Sequence, residues 1–338
     1  MKEVSKLAGV STATISKYIN GIKVKEKNRE NIEKAIKELD FTINTYARAL
    51  RKNKSMTIGV LIPELGNQFS TSIVSRIENT LMESGYSTII CDCNNNGETE
   101  DKKLEFLLSK KCDALVILPY NLKLERIFDF NLPVVLIDRV IEGMNCDSVL
   151  IDNIGASYNA VKFLFENGHK DIAVLCGPHH VYTVQKRLQG YKQAFLDYNI
   201  PINDNYIFHG EYDVQTGYNL TDKILKMKKR PTAIYATNSE ITLGSVIALN
   251  ENNIDIPNEI SLLGFDNLDI ANAVKPKISV ITQPINEIGE LVAKILIDRL
   301  SGKNAIKKTT NFLKTNLFIG NSVRKLGPPL NIQKNLSM

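Results

Sequence analysis

The chain has 338 residues, 43% of them apolar and 23% charged, a balance that excludes a disordered or fibrous protein and leaves room for a small head plus two domains of ordinary size. Its formal charge of +5 is unevenly spread: residues 1–57 carry 13 Lys and Arg against 6 Asp and Glu, and the remainder 29 against 31. A basic head on a slightly acidic body is the electrostatic footprint of a nucleic-acid binder, and the short, charge-interrupted apolar runs argue against a signal peptide or membrane span and for a cytoplasmic protein.

Residues 3–20 predict two short helices joined by a tight turn. Val4, Leu7 and Ala8 share one face of the first, Gly9 supplies the left-handed residue that ends it, and Val10 fills the space beneath the turn. Ser11 caps the second helix, which turns Ile15 and Ile19 inward. Thr12, Ala13, Ser16 and Lys17 then face outward near its start, where small hydroxyl and cationic side chains reach base edges and phosphates. Ile32, Ala35, Ile36 and Leu39 give a third helix one apolar face on which the pair can pack. Residues 44–52 predict a further short basic helix, marginal alone because about 12–15 residues are needed before a helix holds in water.

From Met56 the pattern changes to strands alternating with helices. Strand 57–63 is a near-continuous apolar run, as befits a parallel strand buried on both faces. Helix 67–85, strand 87–93, helix 98–111, strand 113–119, a short helix at 122–129 and strand 133–138 complete one βαβ series. A second begins near Asp152, with helices 154–168, 184–199, 214–229 and 239–252 between strands 171–177, 206–210, 232–236 and 260–265. Strand 279–282, helix 285–301 and an extended stretch 309–319 follow. Such alternation predicts two doubly wound α/β lobes with a cleft beyond the carboxyl ends of their strands.

Five cysteines, with Cys91 and Cys93 on the same face of one strand, fit reduced thiols in a core. Cys176, His179 and His180 make a poor metal set, because adjacent histidines point apart and no further ligand has suitable spacing. No phosphate loop, dinucleotide fingerprint, nucleophile elbow or zinc-protease motif is present, so no catalytic role and no cofactor is expected.

The run Val4-Ser5-Lys6-Leu7-Ala8-Gly9-Val10-Ser11-Thr12-Ala13-Thr14-Ile15-Ser16, followed by Asn20-Gly21, resembles the N-terminal motif of the LacI/GalR (lactose-repressor/galactose-repressor) family of transcription regulators. Gly168-His169-Lys170-Asp171-Ile172-Ala173, Arg187-Leu188-Gln189-Gly190-Tyr191, Arg230-Pro231-Thr232-Ala233-Ile234, Gly264-Phe265-Asp266-Asn267 and Thr282-Gln283-Pro284 extend the likeness, in order, over about residues 2–326. The resemblance implies a helix-turn-helix headpiece (1–43), a hinge helix and linker (44–55) and a two-lobed core of the type I periplasmic-binding-protein kind (56–326). The first lobe would comprise about 56–151 and 283–312, the second 152–282 and 313–326, with 327–338 a disordered tail.

What it implies for function is a homodimeric repressor that binds double-stranded operator DNA and answers to a small effector, a sugar or nucleobase-like metabolite, between the lobes. Contacts to DNA would come from Ser11, Thr12, Ala13, Thr14, Ser16, Lys17 and Asn20, and from Leu50 and Arg51 of the hinge, the leucine entering the minor groove. Arg187, Asn238 and Asp266 hold positions that meet effector, with Asn67 and Phe69 lining the opposite wall and Asp152 completing the set; Arg187 is expected to start a helix. The chain departs from the family at Lys25, where a capping Ser is usual and the third helix could recap at Asn28, and at Ile43, where Pro is usual. It departs again at Ala156, where Gly is usual, and at Ser239, where Asp is usual. The competing readings are a solute-binding protein without DNA function and a regulator answering to a protein corepressor such as a phosphocarrier.

Overall fold

Two units make up the computed structural model, Met1–Ser55 and Met56–Met338. It describes residues 1–19, 22–41, 54–120, 132–141, 146–266, 269–302 and 308–330. The hinge helix and the helix at 122–129 lie outside the described residues.

The N-terminal unit contains α1 (Lys2–Ala8), α2 (Thr12–Ile19) and α3 (Glu26–Glu38). Gly9 ends α1 at φ 64°, a conformation that costs other residues because their Cβ crowds the next carbonyl. Ser11 caps α2: its Oγ accepts from the Thr14 amide at 3.1 Å. Val4, Ala8, Ile15, Ile32 and Ala35 form the buried centre, with Val10, Ile19 and Ile36 half-buried against it. Leu7 and Leu39, expected inside, are 46% and 40% exposed. Three short helices close over a centre of small and branched residues, and the outer members of each apolar stripe are left at the rim. Helix α3 starts at Glu26 behind an extended Lys25 with no side-chain cap, rather than recapping at Asn28.

The larger unit carries two six-stranded sheets. The first runs β11-β5-β4-β3-β1-β2, from strands β1 (Thr57–Ile62), β2 (Ser87–Asp92), β3 (Ala114–Ile117), β4 (Val134–Ile137), β5 (Asp147–Ile151) and β11 (Thr310–Leu313), and its pairings are parallel. The second runs β12-β10-β9-β8-β6-β7, from β6 (Ile172–Cys176), β7 (Ile207–His209), β8 (Ala233–Ala236), β9 (Ser261–Phe265), β10 (Ser279–Thr282) and β12 (Asn316–Phe318); only β12 pairs antiparallel. Helices α4 (Gln68–Glu83), α5 (Gly97–Ser109) and α11 (Ile285–Leu300) pack with the first sheet; α6 (Asn153–Glu166), α7 (Tyr182–Asp197), α8 (Val214–Leu225) and α9 (Ser239–Glu251) pack with the second.

The stretch expected to be extended over 309–319 is therefore two strands, one donated to each sheet. Strand β5 and the short helix α10 (Asp269–Ala273) were not foreseen. In β5 the leading Asp147 is fully buried, where it takes the Arg299 fork at 2.8 and 2.9 Å and the Thr309 amide at 2.9 Å. Burial alone would push its carboxyl up, but the Arg299 fork and the Thr309 bonds outweigh this and hold it below the usual range. Helices α6 and α7 touch through Gly190, where an added Cβ would stand 2.2 Å from the Ile154 carbonyl oxygen. Of the tail expected from 327, the described residues 327–330 are held to the core: the Leu330 amide donates to the Phe165 carbonyl at 3.2 Å, and Leu330 packs on the core.

Candidate functional site

Helix α2 presents its first turn to solvent. Ser11, Thr12, Ala13 and Lys17 are exposed, Thr14 and Ser16 half-buried, and Ile15 anchors the helix from beneath. Behind it the Tyr18 hydroxyl and Arg29 Nε both donate to Glu33, at 3.0 and 2.9 Å, tying α2 to α3. The result is an exposed helix end bearing short donors and one cation, chemistry that can reach base edges and phosphates. Asn20, Leu50 and Arg51 lie outside the described residues.

In the larger unit a cleft whose empty space, open solvent included, is about 620 Å³ is lined from both sheets' sides. Pro63, Asn67, Phe69, Leu118 and Asp138 come from the first lobe, and Thr183, Arg187, Tyr212, Asn238 and Asp266 from the second. Half of these stand just beyond the carboxyl ends of strands: Pro63 after β1, Leu118 after β3, Asp138 after β4, Asn238 after β8 and Asp266 after β9. Such positions place side chains at the mouth of a doubly wound sheet, because the helices that follow must turn back there.

Arg187 lies on the sixth residue of α7, not at its start, and is 4% exposed. Its Nε donates to the Asn153 side-chain oxygen at 2.8 Å, one Nη to the Thr237 carbonyl at 2.6 Å, and its plane lies 3.8 Å above the Phe265 ring. Burial opposes its charge, but the nearby Asp266 carboxylate keeps its pKa above the ordinary value. Asp266, at φ 75° and 6% exposed, accepts from Gln283 and from the Ser239 amide. Burial pushes its carboxyl up, with Arg187 and the Gln283 bond pulling the other way.

Asn238 caps α9 through the Ile241 amide at 3.0 Å and donates to Glu240 at 2.8 Å. Glu240 also accepts from Asn67 across the cleft at 2.8 Å, and burial raises its pKa. Asn67 is thus both the cap of α4, accepting from the Ser70 amide at 2.9 Å, and a bridge between lobes. A second bridge runs from Gln68 to Asp269 at 3.0 Å.

Asp152 stands apart. It is exposed, caps α6 through the Gly155 amide at 2.9 Å, and does not line the cavity; its neighbour Asn153 is the buried partner of Arg187. Sequence reasoning overlooked Asn153, Asp138, Glu240 and Gln283. Gln283 belongs to the quoted Thr282-Gln283-Pro284 run, and Asp138 ends a strand, so a rule of weighing polar residues at strand ends would have found both. Glu240 carries no such signal, since an acidic residue in a first helical turn is ordinary.

Among the described residues no cluster of His, Cys, Asp or Glu could hold a metal ion, and no helix is long and apolar enough to cross a membrane. His179 stacks on His209 at 3.4 Å between centroids.

Residues 1–44 match the model of bacterial regulatory proteins of the lacI family, and residues 55–316 that of periplasmic binding proteins and the sugar binding domain of the LacI family. The chain is 31% identical over 331 residues to an HTH-type transcriptional repressor PurR of Vibrio parahaemolyticus, covering 96% of this chain and 99% of that one. A LacI family transcriptional regulator from Enterococcus faecium, solved with bound ribose, is 28% identical, with 80% of this chain and all of that one covered at a TM-score of 0.72. A Lac repressor dimer bound to operator and an anti-inducer shares the fold at a TM-score of 0.83 and 23% identity, over 95% of this chain and 98% of that one.

Proposed function

Because the chain belongs to the LacI family of bacterial regulators, a DNA-binding transcription repressor under effector control, we propose that its effector is a sugar or related metabolite held between the core lobes. The observation that carries this is a cavity walled by both lobes, in which Arg187, Asn238 and Asp266 face Asn67 and Phe69. An Arg, an Asn and an Asp offer donors and acceptors in the arrangement that vicinal hydroxyls require. A ligand gripped by both walls stabilises one lobe spacing over another, and only such differential binding can shift DNA affinity.

The protein acts in the cytoplasm as a homodimer on a two-fold pseudo-palindrome. Residues 1–43 read the operator, with Ser11, Thr12, Ala13, Thr14, Ser16, Lys17 and Asn20 at the DNA. Residues 44–55 form a hinge that orders on DNA and brings Leu50 and Arg51 to the minor groove, and 56–326 form the sensing core. Lobe movement then decides whether the two hinges meet.

The test is a gel shift on DNA upstream of the protein's own gene, with and without candidate sugars and nucleobases. A mobility change that one ligand reverses or strengthens supports the reading. Binding that no small ligand alters, yet a phosphocarrier protein does, would transfer control to a protein corepressor.

A further inference from the structure

Charge in the cleft is lopsided. Its wall holds four carboxylates, Glu64, Asp138, Glu240 and Asp266, against two guanidiniums, Arg139 and Arg187. Both guanidiniums are engaged within the protein: Arg187 by Asn153 and the Thr237 carbonyl, Arg139 by the Tyr120 carbonyl at 3.2 Å and by Asp138 at 3.7 Å. Three of the carboxylates accept hydrogen bonds from the protein, Glu64 from Asn95, Glu240 from Asn67, Asn238 and Ser239, and Asp266 from Gln283 and Ser239. Asp138 differs. Its Oδ1 is buried with no hydrogen-bond partner among the described residues, while its Oδ2 faces Arg139.

A buried carboxylate oxygen without a donor is costly, so a donor brought to it from outside is favoured. Asp138 also lies near enough to Asp266 for its charge to raise the pKa of that group, against the larger opposite pull of Arg187, and Asp266 acts on Glu240 in the same way, so like charges repel along this wall. A neutral hydroxyl would give Asp138 a hydrogen bond and leave that repulsion intact. A cation would remove both costs together. Phe69 and Tyr212 line the same cavity and offer aromatic faces on which a cation is stabilised. A phosphate or carboxylate ligand would meet the opposite field.

Building on the effector cleft set out above, we propose that the effector is a monosaccharide bearing a protonated amine, its ammonium group received by Asp138 beside Asp266 and Glu240. The amine supplies three donors and no acceptor, which matches a wall already rich in acceptors. The ring hydroxyls fall to Arg187 and Asn238.

Isothermal titration of the full chain with D-glucosamine, D-galactosamine and D-mannosamine, each beside its parent hexose and that hexose's 6-phosphate, tests this. At least one amine should bind about tenfold or more tightly than its parent, as one charge-assisted bond in place of a neutral one provides, and the phosphates should not bind. Asp138→Asn should shrink the preference for amine over hydroxyl to under about threefold, with ligand-free operator binding as the check that the variant folds. A parent hexose binding as tightly as its amine, a phosphate binding more tightly, no amine binding at all, or an undiminished preference in Asp138→Asn each overturns the inference. A neutral hexose that binds at least as tightly as its amine and shifts operator affinity would end this inference and leave effector control standing. A saturating amine that leaves operator affinity unmoved would end effector control instead.

Discussion

Arg187→Met removes a charge from the centre of the cleft and separates the site's chemistry from its packing. In the native chain two charge-assisted bonds, at 2.8 and 2.6 Å, satisfy Asn153 and the Thr237 carbonyl, and the guanidinium supplies the positive field that offsets buried Asp266. Methionine keeps much of the volume but leaves two acceptors and one carboxylate without that partner. Truncating one member of such a buried pair costs about 3–5 kcal/mol, most of it from the charge left behind rather than from the bonds lost. Urea unfolding of the wild type and variant, followed by far-ultraviolet circular dichroism, measures the stability loss. A gel shift on operator, with and without effector, measures the response, which should vanish while effector-independent affinity stays close to wild type. The Arg187→Lys variant should recover charge without the two-pronged geometry, and so regain stability more than response. A methionine variant within about 1 kcal/mol of wild type that still responds to effector would refute the role given to Arg187 in both respects.

Replacing Thr12 or Ala13 by a bulky residue should change operator preference at a symmetric pair of positions by roughly 1–3 kcal/mol per half-site contact, read by selection from a randomised operator library; unchanged preference would take α2 out of the groove. Leu50→Ala should weaken binding to operator far more than to scrambled duplex in titrations at one salt concentration, and equal loss on both would leave the hinge mechanism unsupported. His169 is fully buried between Thr232 and the Arg324 carbonyl, and burial pushes its pKa from 6.5 down to about 4. The unfolded chain takes up that proton first, so stability is full above pH 6.5 and falls by roughly 3 kcal/mol toward pH 4; His169→Gln should flatten that part of the denaturation profile. Gly190→Ala must push α6 and α7 apart and should cost about 1–3 kcal/mol in thermal denaturation, while an unshifted midpoint would mean that the contact yields freely.

Much of the architecture was legible because it depends on local signals. Gly9 and Ser11 punctuate the headpiece by backbone conformation and capping, which act within a few residues. Strands such as β1 and β6 are buried on both faces and therefore run apolar without a break. Strand β5 escaped because its leading Asp147 looks like a loop residue until Arg299 and Thr309, distant in sequence, are brought to it. Similar reasoning separates the site residues. Arg187 and Asp266 carry their message in motifs and Asn238 in its place after a strand, whereas Glu240 acquires its place only when Asn67 faces it from the other lobe. Asp152 shows the converse, a residue chosen by position whose geometry is that of a helix cap, with the buried contact made one residue later.

The crossings between the two sheets impose an order of assembly. Strands β6 to β10 of the second sheet are contiguous, so a ribosome releases most of that lobe in one piece. The first sheet must wait: after β5 emerges, about 160 residues pass before β11 arrives to cover its edge, and Asp147 meets Arg299 and Thr309 only then. Until that point the nascent chain exposes an unpaired parallel edge and an uncompensated carboxylate, features that invite chaperone binding. Premature stops after Leu300 should therefore yield an insoluble product although most of the sensing pocket has been encoded, and a chimera that exchanges lobes must be spliced at all three crossings rather than at one.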